Sequence, residues 1–207
     1  MQQRAIETRS SVIEGASKVF ERAGYGNASL SEISTQSEVT KGALYFHFKS
    51  KEEIALAVIE AQHARSREAG DKVTSRGDKA LPTILECCRV FGQQLLDDVV
   101  VRAGIRLTFE ASVFDADVTG PYQDWVETMT QMTAQGQREG DIKAEVDPAD
   151  FARYLVASFT GVQMVSNVLT GRRDVMERIR QMWDFMLPAV AVDPSRWNTE
   201  ELFAARA

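Results

Sequence analysis

Between Ser29 and Glu53 this chain signals a helix start three times, and that density limits what it can fold into more than any other feature. Ser29 is followed by Glu32, and Ser50 by Glu53. This is the spacing of a capping box, where a hydroxyl accepts the backbone N–H three residues on and the carboxylate accepts one in return. Thr40, between them, can cap a further helix. Starts this close leave room for two short helices, one from Ser29 to near Ser37 and one from Lys41 to about His47, joined by Glu38-Val39. A long helix from Lys51 to about Lys72 follows. Leu30, Ile33, Val39, Leu44 and Phe48 are placed so that the short helices cross over a shared apolar core, the arrangement of a helix-turn-helix.

The rest of the chain carries helical periodicity throughout, and no strand-like alternation bounded by turn residues occurs, so the fold class is all-α. A first helix runs from about Arg4 to Ala23 on a stripe of Ile6, Ile13, Ala16, Phe20 and Ala23, with Gly24 as its stop. Beyond Gly77 the helices lengthen: Lys79 to Leu96, Val99 to Phe114, Pro121 to Arg138, Pro148 to Leu169 and Arg172 to Val192. Asp147-Pro148 reads as an N-cap followed by the first helical position, where proline's missing N–H costs nothing. Pro188 is expected to kink or end the last long helix, and the tail around Trp197, Leu202 and Phe203 to add a short one. The expected organisation is a small helical domain at 1–50 that carries the helix-turn-helix and a larger helical domain at 51–207.

Charge supports that division. The net charge is −6, which argues against nucleic acid until it is split along the chain. Residues 1–51 hold 7 Lys and Arg against 5 Asp and Glu, while the remainder holds 17 against 25. A head of +2 can approach phosphates while an acidic body stays in solvent. No apolar run approaches the ~20 residues that cross a bilayer, and Met1-Gln2-Gln3-Arg4 lacks a secretory h-region, so no membrane association and a cytoplasmic location are expected. The 2 cysteines, Cys87 and Cys88, are adjacent on an apolar helix. They read as free, buried thiols, with a redox sensor as the less favoured alternative. His47 and His63 have no Cys/His spacing of the zinc type, so no metal and no cofactor are expected. Neither a nucleophile elbow, a glycine-rich phosphate loop nor a His-Glu metal motif is present, which argues against an enzyme. A ligand-free nucleoid protein would have a basic body, and this body is acidic.

The helix after Thr40 turns Leu44 inward, and its other face offers Lys41, Gly42, Ala43, Tyr45, Phe46 and His47. Small residues at its start let such a helix sink into a major groove. One of the two aromatics is expected to pack inward, while the Tyr45 hydroxyl can donate to a phosphate with the ring against the sugars.

These segments carry a resemblance. TKGALYFHFKSKEEIALAVIE, preceded by LSEIS and VFERAGY, resembles the DNA-binding region of the tetracycline-repressor (TetR) family across the first quarter of the chain. KGALYFHF, with VVRAGIRL, PYQDWVE and RQMWDFMLP, is similar more narrowly to the γ-butyrolactone autoregulator receptors of filamentous actinobacteria.

The resemblance implies a homodimer whose last two long helices form an intersubunit four-helix bundle. It implies double-stranded palindromic operator DNA as partner, and release of that DNA when a small-molecule effector enters the larger domain. DNA contacts fall on Thr40, Lys41, Gly42, Ala43, Tyr45, Phe46 and His47, with Ser29 and Lys51 near backbone phosphate and Arg4 and Arg9 as further backbone contacts. Trp125, in PYQDW, matches the tryptophan that lines the receptors' ligand site. Gln62 and Thr160 match positions that hydrogen-bond a lactone or butenolide.

Helical facing alone adds Leu85, Cys88, Phe159, Gln163, Met164 and Trp183 as walls, though the same stripe reads equally well as packed core. The acidic stretch Ala111 to Gly120 and the tail from Asp193 depart from the receptors' pattern. An antibiotic or other hydrophobic molecule is therefore the alternative effector.

Overall fold

The computed structural model describes residues 2–113 and 117–204, and among them it has ten α-helices, two 3-10 turns and no strand. Helix α1 spans Gln2–Asn27, α2 Leu30–Gln36, α3 Lys41–His47, α4 Lys51–Thr74, α5 Ala80–Asp97 and α6 Val99–Phe109. Helix α7 spans Gly120–Arg138, α8 Pro148–Thr170, α9 Val175–Val190 and α10 Thr199–Phe203. The local signals act as expected. Ser29 and Glu32 close a reciprocal box, and Thr40 Oγ1 accepts the Ala43 N–H. At the third start Ser50 Oγ accepts the Glu53 N–H at 3.1 Å, while the Glu53 carboxylate reaches back to the Lys49 N–H. Asp147 caps α8 with Pro148 behind it.

Two boundaries differ from expectation. The helix expected to reach Phe114 ends at Phe109, because the Glu110 carboxylate accepts the Tyr25 N–H at 2.6 Å and Arg106 Nε at 2.8 Å. Phe114 lies outside the described residues. The last long helix starts at Val175 rather than Arg172, since Gly171 and Arg172 both turn left-handed, at φ 63° and 66°. Pro188 falls in its final turn, where the Lys143 ammonium donates to the carbonyls of Pro188 and Ala189 at 2.9 and 3.3 Å.

By packing, the chain divides into two compact units, Met1–Arg67 with Asp97–Val118, and Glu68–Leu96 with Thr119–Ala207. This differs from the split after residue 50 read from charge and motifs, because α6 lies along α1. In the first unit Val12, Phe20, Ile33, Leu44, Phe48, Ile54, Val58 and Leu107 form one buried core. Burying each such side chain contributes roughly 1.5–3 kcal/mol. Arginines tie its edge: Arg106 Nη1 donates to the Glu21 carbonyl at 2.7 Å, Arg102 pairs with the Glu21 carboxylate, and Arg65 pairs with Asp98 at 2.8 Å and with Glu14.

This stitching depends on Gly24, whose φ of 75° and ψ of 174° break α1. A Cβ there would stand 2.6 Å from Arg106 Nη2. Gly24→Ala is therefore expected to lower unfolding free energy by about 2 kcal/mol, since this backbone region is essentially closed to L side chains. Urea denaturation checks it, and an unchanged midpoint refutes it.

In the second unit α7 packs on α8, α8 on α9 and α10 on α9. The buried Asp141 carboxylate gathers three segments, pairing with Lys79 and Arg196, each at 3.0 Å. Asp174 joins α8 to α9 by accepting from Ser166, Thr170 and Arg178 at 2.6, 2.7 and 2.9 Å. These three donors hold its carboxyl well below the usual carboxylate range.

Candidate nucleic-acid interface and effector site

Helix α3 owes its placement to Leu44 and Phe48, which anchor it against Ile33 and Ile54 in the head core. The turn before it passes through Glu38 at φ 56° and is closed by Ser34 Oγ donating to the Val39 carbonyl at 2.7 Å. What α3 leaves outside is Lys41, Gly42, Tyr45 and Phe46, all exposed, with Ala43 and His47 half-buried. Neither aromatic packs inward, contrary to expectation: Tyr45 is 52% and Phe46 81% exposed. Leu44 and Phe48 already fill the inward positions. The Phe46 ring stands perpendicular to that of His47, centroids 5.1 Å apart.

Other predicted DNA contacts have structural employment. Ser29 and Thr40 are exposed, and their hydroxyls cap α2 and α3. Arg4 and Arg9 are exposed on α1, with the Arg9 guanidinium over the Phe48 ring at 5.3 Å. Lys51 has partners of its own inside the chain. Its ammonium donates to the carbonyls of Tyr25, Gly26 and Ala28 at 2.7, 3.4 and 3.0 Å and lies 4.4 Å from the Tyr25 ring centre. The ammonium thus ties the end of α1 and the link to α2 to the start of α4, and places a positive charge where helix carbonyls point.

In the second unit Trp125 is half-buried and meets Phe91 edge to face, centroids 4.5 Å apart. Both rings lie beside Gly70 of α4, where an added Cβ would be in van der Waals contact with Trp125 Cη2 at 3.4 Å and Phe91 Cζ at 3.5 Å. One turn earlier on α7, the Tyr122 side chain lies beside Thr160, and burial pushes its pKa up. Sequence reasoning named Trp125 and Thr160 but missed Tyr122; its position three residues before Trp125 is the signal that could have found it.

Phe159 is half-buried and Gln163 buried on α8. Cys88, Trp183 and Phe151 form a buried group, with the two rings 6.5 Å apart. Leu85 and Trp183 have essentially no accessible surface, so no water-sized space adjoins them and they are core. Burial pushes both thiols up to about 12. That burial disfavours the thiolate a redox sensor needs. Gln62 lies in the first unit, buried, with its amide donating to Ser66 Oγ at 3.2 Å.

Met164, on α8, faces outward. It is 42% exposed and belongs to a row on the outer side of α8, not to its core stripe. That row is Tyr154, Ala157, Gly161, Met164 and Val168, exposed at alternating three- and four-residue steps, with Val165 and Leu169 exposed beside it. Val168 is 82% exposed, as is Phe185 at 85% on α9. A Cβ at Gly161 would meet nothing within 4 Å, so nothing inside the chain explains the glycine. The spacing is that of a helix seam, with Ala157 and Gly161 allowing close approach.

Among the described residues no group of three or more His, Cys, Asp or Glu could hold a metal, and no helix is long and apolar enough to cross a membrane. Comparison with known proteins gives two family matches. Residues 12–58 match bacterial regulatory proteins of the tetR family. Residues 79–192 match the tetracyclin repressor-like C-terminal domain. The chain is 35% identical over 190 residues to the A-factor receptor protein of Streptomyces griseus, spanning 92% of this chain and 66% of that receptor. A solved gamma-butyrolactone receptor, an ArpA-like protein, superposes with a TM-score of 0.81 at 30% identity over 97% of this chain and 96% of its own. The TetR family protein CprB from Streptomyces coelicolor, solved in complex with its operator, superposes with a TM-score of 0.80 at 32% identity, covering 97% and 96%.

Proposed function

The chain belongs to the tetR family of bacterial regulatory proteins, and from that premise we propose that it is a dimeric, cytoplasmic repressor of transcription. Its two recognition helices hold a palindromic operator until a γ-butyrolactone or butenolide enters the helical body and releases it. The carrying observation is the outward face of α3: Lys41, Gly42, Tyr45 and Phe46 exposed together on a helix locked to the head core by Leu44 and Phe48. CprB, alike over almost its whole length, is solved on its operator, which supports assigning the same task to this face.

In this reading residues 1–50 are the DNA-binding domain. Lys41 and Tyr45 meet backbone phosphate, and Gly42 and Ala43 let the helix sink into the groove. Ser29, Thr40, Arg4 and Arg9 lie at its edges, and Lys51 acts indirectly by fixing the end of α1. The α8 and α9 rows pair with those of a second copy and hold the two recognition helices ~34 Å apart, one turn of DNA. Trp125, Tyr122, Phe159, Thr160 and Gln163 form the effector site: an aromatic wall for an alkyl chain beside hydroxyl and amide groups for a carbonyl. The likeness to the A-factor and gamma-butyrolactone receptors favours a lactone.

The test begins with duplexes selected from a random-sequence pool by the full-length protein, followed by titration with a synthetic γ-butyrolactone bearing an alkyl chain. Saturating lactone is expected to weaken operator binding by roughly 5- to 150-fold, the usual range of allosteric coupling. If a palindrome is selected and the lactone leaves its affinity unchanged, the lactone reading falls and the regulator reading stands.

A further inference from the structure

We infer that Phe46 is the residue that discriminates operator sequence, by seating the C5-methyl group of a thymine in each half-site; the inference rests on the operator-binding reading above. Helix α3 presents two parallel rows one turn long. Lys41 and Tyr45 form one, a cation and a phenol hydroxyl, suited to phosphate oxygens. Gly42 and Phe46 form the other, and it is wholly apolar.

The second row has no explanation inside the chain. Phe46 is 81% exposed and is absent from the head core that holds its neighbours Leu44 and Phe48. A Cβ on Gly42 would find only Thr40 Oγ1, at 3.9 Å, so neither steric pressure nor backbone conformation calls for glycine in this helix. Helical side chains project toward the N-terminus, so the Phe46 ring stands over the turn that carries Gly42. The two residues therefore frame an open apolar notch, walled by the ring on one side and floored by bare backbone. His47 braces the ring from the other side with an edge contact at 5.1 Å.

In a major groove every base edge presents hydrogen-bonding groups, and thymine adds to its O4 acceptor a C5-methyl group, the apolar feature of that surface. A phenyl ring beside a methyl-sized notch has no hydrogen bond to offer adenine, guanine or cytosine. It gains contact area from thymine and leaves the polar edges of the others desolvated and unpaired. The phosphate row fixes register, and the apolar row reads.

The experiment uses the full-length protein and the duplex it selects from a random pool. Each thymine is replaced in turn by uracil, which keeps every hydrogen bond and removes only the methyl. One thymine per half-site is expected to respond, with affinity falling about fourfold for one half-site and about 15-fold for both, the value of one buried methyl each. With Phe46→Ala the thymine-to-uracil ratio at that position is expected to fall to about 1, while Phe46→Leu keeps a reduced preference. The wild-type scan needs no variant, and an exposed ring is removed without loss of fold. A duplex with no uracil-sensitive thymine overturns the inference, and so does a sensitivity that survives Phe46→Ala unchanged. Both leave the regulator reading intact. Failure to enrich any duplex removes the regulator reading and this inference with it.

Discussion

Replacing Phe185 with Asp is expected to leave a folded monomer that binds its operator about 100- to 10,000-fold more weakly than the parent. Phe185 is 85% exposed on α9, level in kind with Val168 at 82% and Leu169 at 73% on α8. Contiguous apolar surface on this scale marks an interaction face. The inward side of α9 is already occupied by Ile179, Met182, Trp183, Met186 and Leu187, all buried, so a charge at 185 does not enter the core. It does enter the proposed seam, where an unpaired carboxylate facing its own symmetry mate meets both desolvation and like-charge repulsion. Once dimerisation is lost, each head meets a half-site alone. The gain from tethering two binding modules, 10²–10⁴-fold, then disappears although no DNA contact has changed. Analytical ultracentrifugation and circular dichroism establish the folded monomer, and a gel-shift titration reads the affinity. A dimer that persists in the variant moves the seam elsewhere, and a monomer of undiminished affinity ends the paired-head argument.

What the sequence disclosed, and what it withheld, divides by the range of the interaction. Ser29 with Glu32, Thr40 with Ala43 and Asp147 with Pro148 act within a few residues, so their caps were visible as spacing alone. The partners of Lys51 within the chain were invisible because the carbonyls of Tyr25, Gly26 and Ala28 lie 23 to 26 residues away. A lysine beside a recognition helix looks the same whether it faces phosphate or caps a helix. Helix α6 was drawn too long because Glu110 suits a helix by propensity, yet its carboxylate is drawn to the Tyr25 amide, 85 residues distant. Met164 shows the limit of periodicity. Helix α8 is apolar on two sides, one for its own core and one for the seam, and a 3.6-residue pattern cannot say which is which. The same ambiguity hid the exposure of both Tyr45 and Phe46. Nothing in the order of residues tells that two inward positions on so short a helix are already taken by Leu44 and Phe48.

The effector site carries the other large expectation. Trp125→Ala is expected to weaken binding of an alkyl γ-butyrolactone by about 100- to 1,000-fold, while operator affinity without lactone stays within about twofold. Aromatic anchors in desolvated sites dominate binding energy, and truncating one commonly costs that much. Trp125 qualifies because its ring is only half-buried by the protein, so a face is left for a ligand, while Phe91 at 4.5 Å fixes the orientation of the indole. The neighbouring hydroxyls of Tyr122 and Thr160 lie one turn from it and supply the polar end. Trp183, with no accessible surface, is the contrast: its truncation is expected to unfold the body rather than change ligand preference. Since Trp125 also packs on Gly70 and Phe91, Trp125→Phe serves as the second variant, keeping a ring there and an intermediate affinity. Calorimetry with the lactone and a gel-shift titration without it separate the two quantities. If Trp125→Ala folds, binds operator and still releases it at the parental lactone concentration, the effector site does not include Trp125.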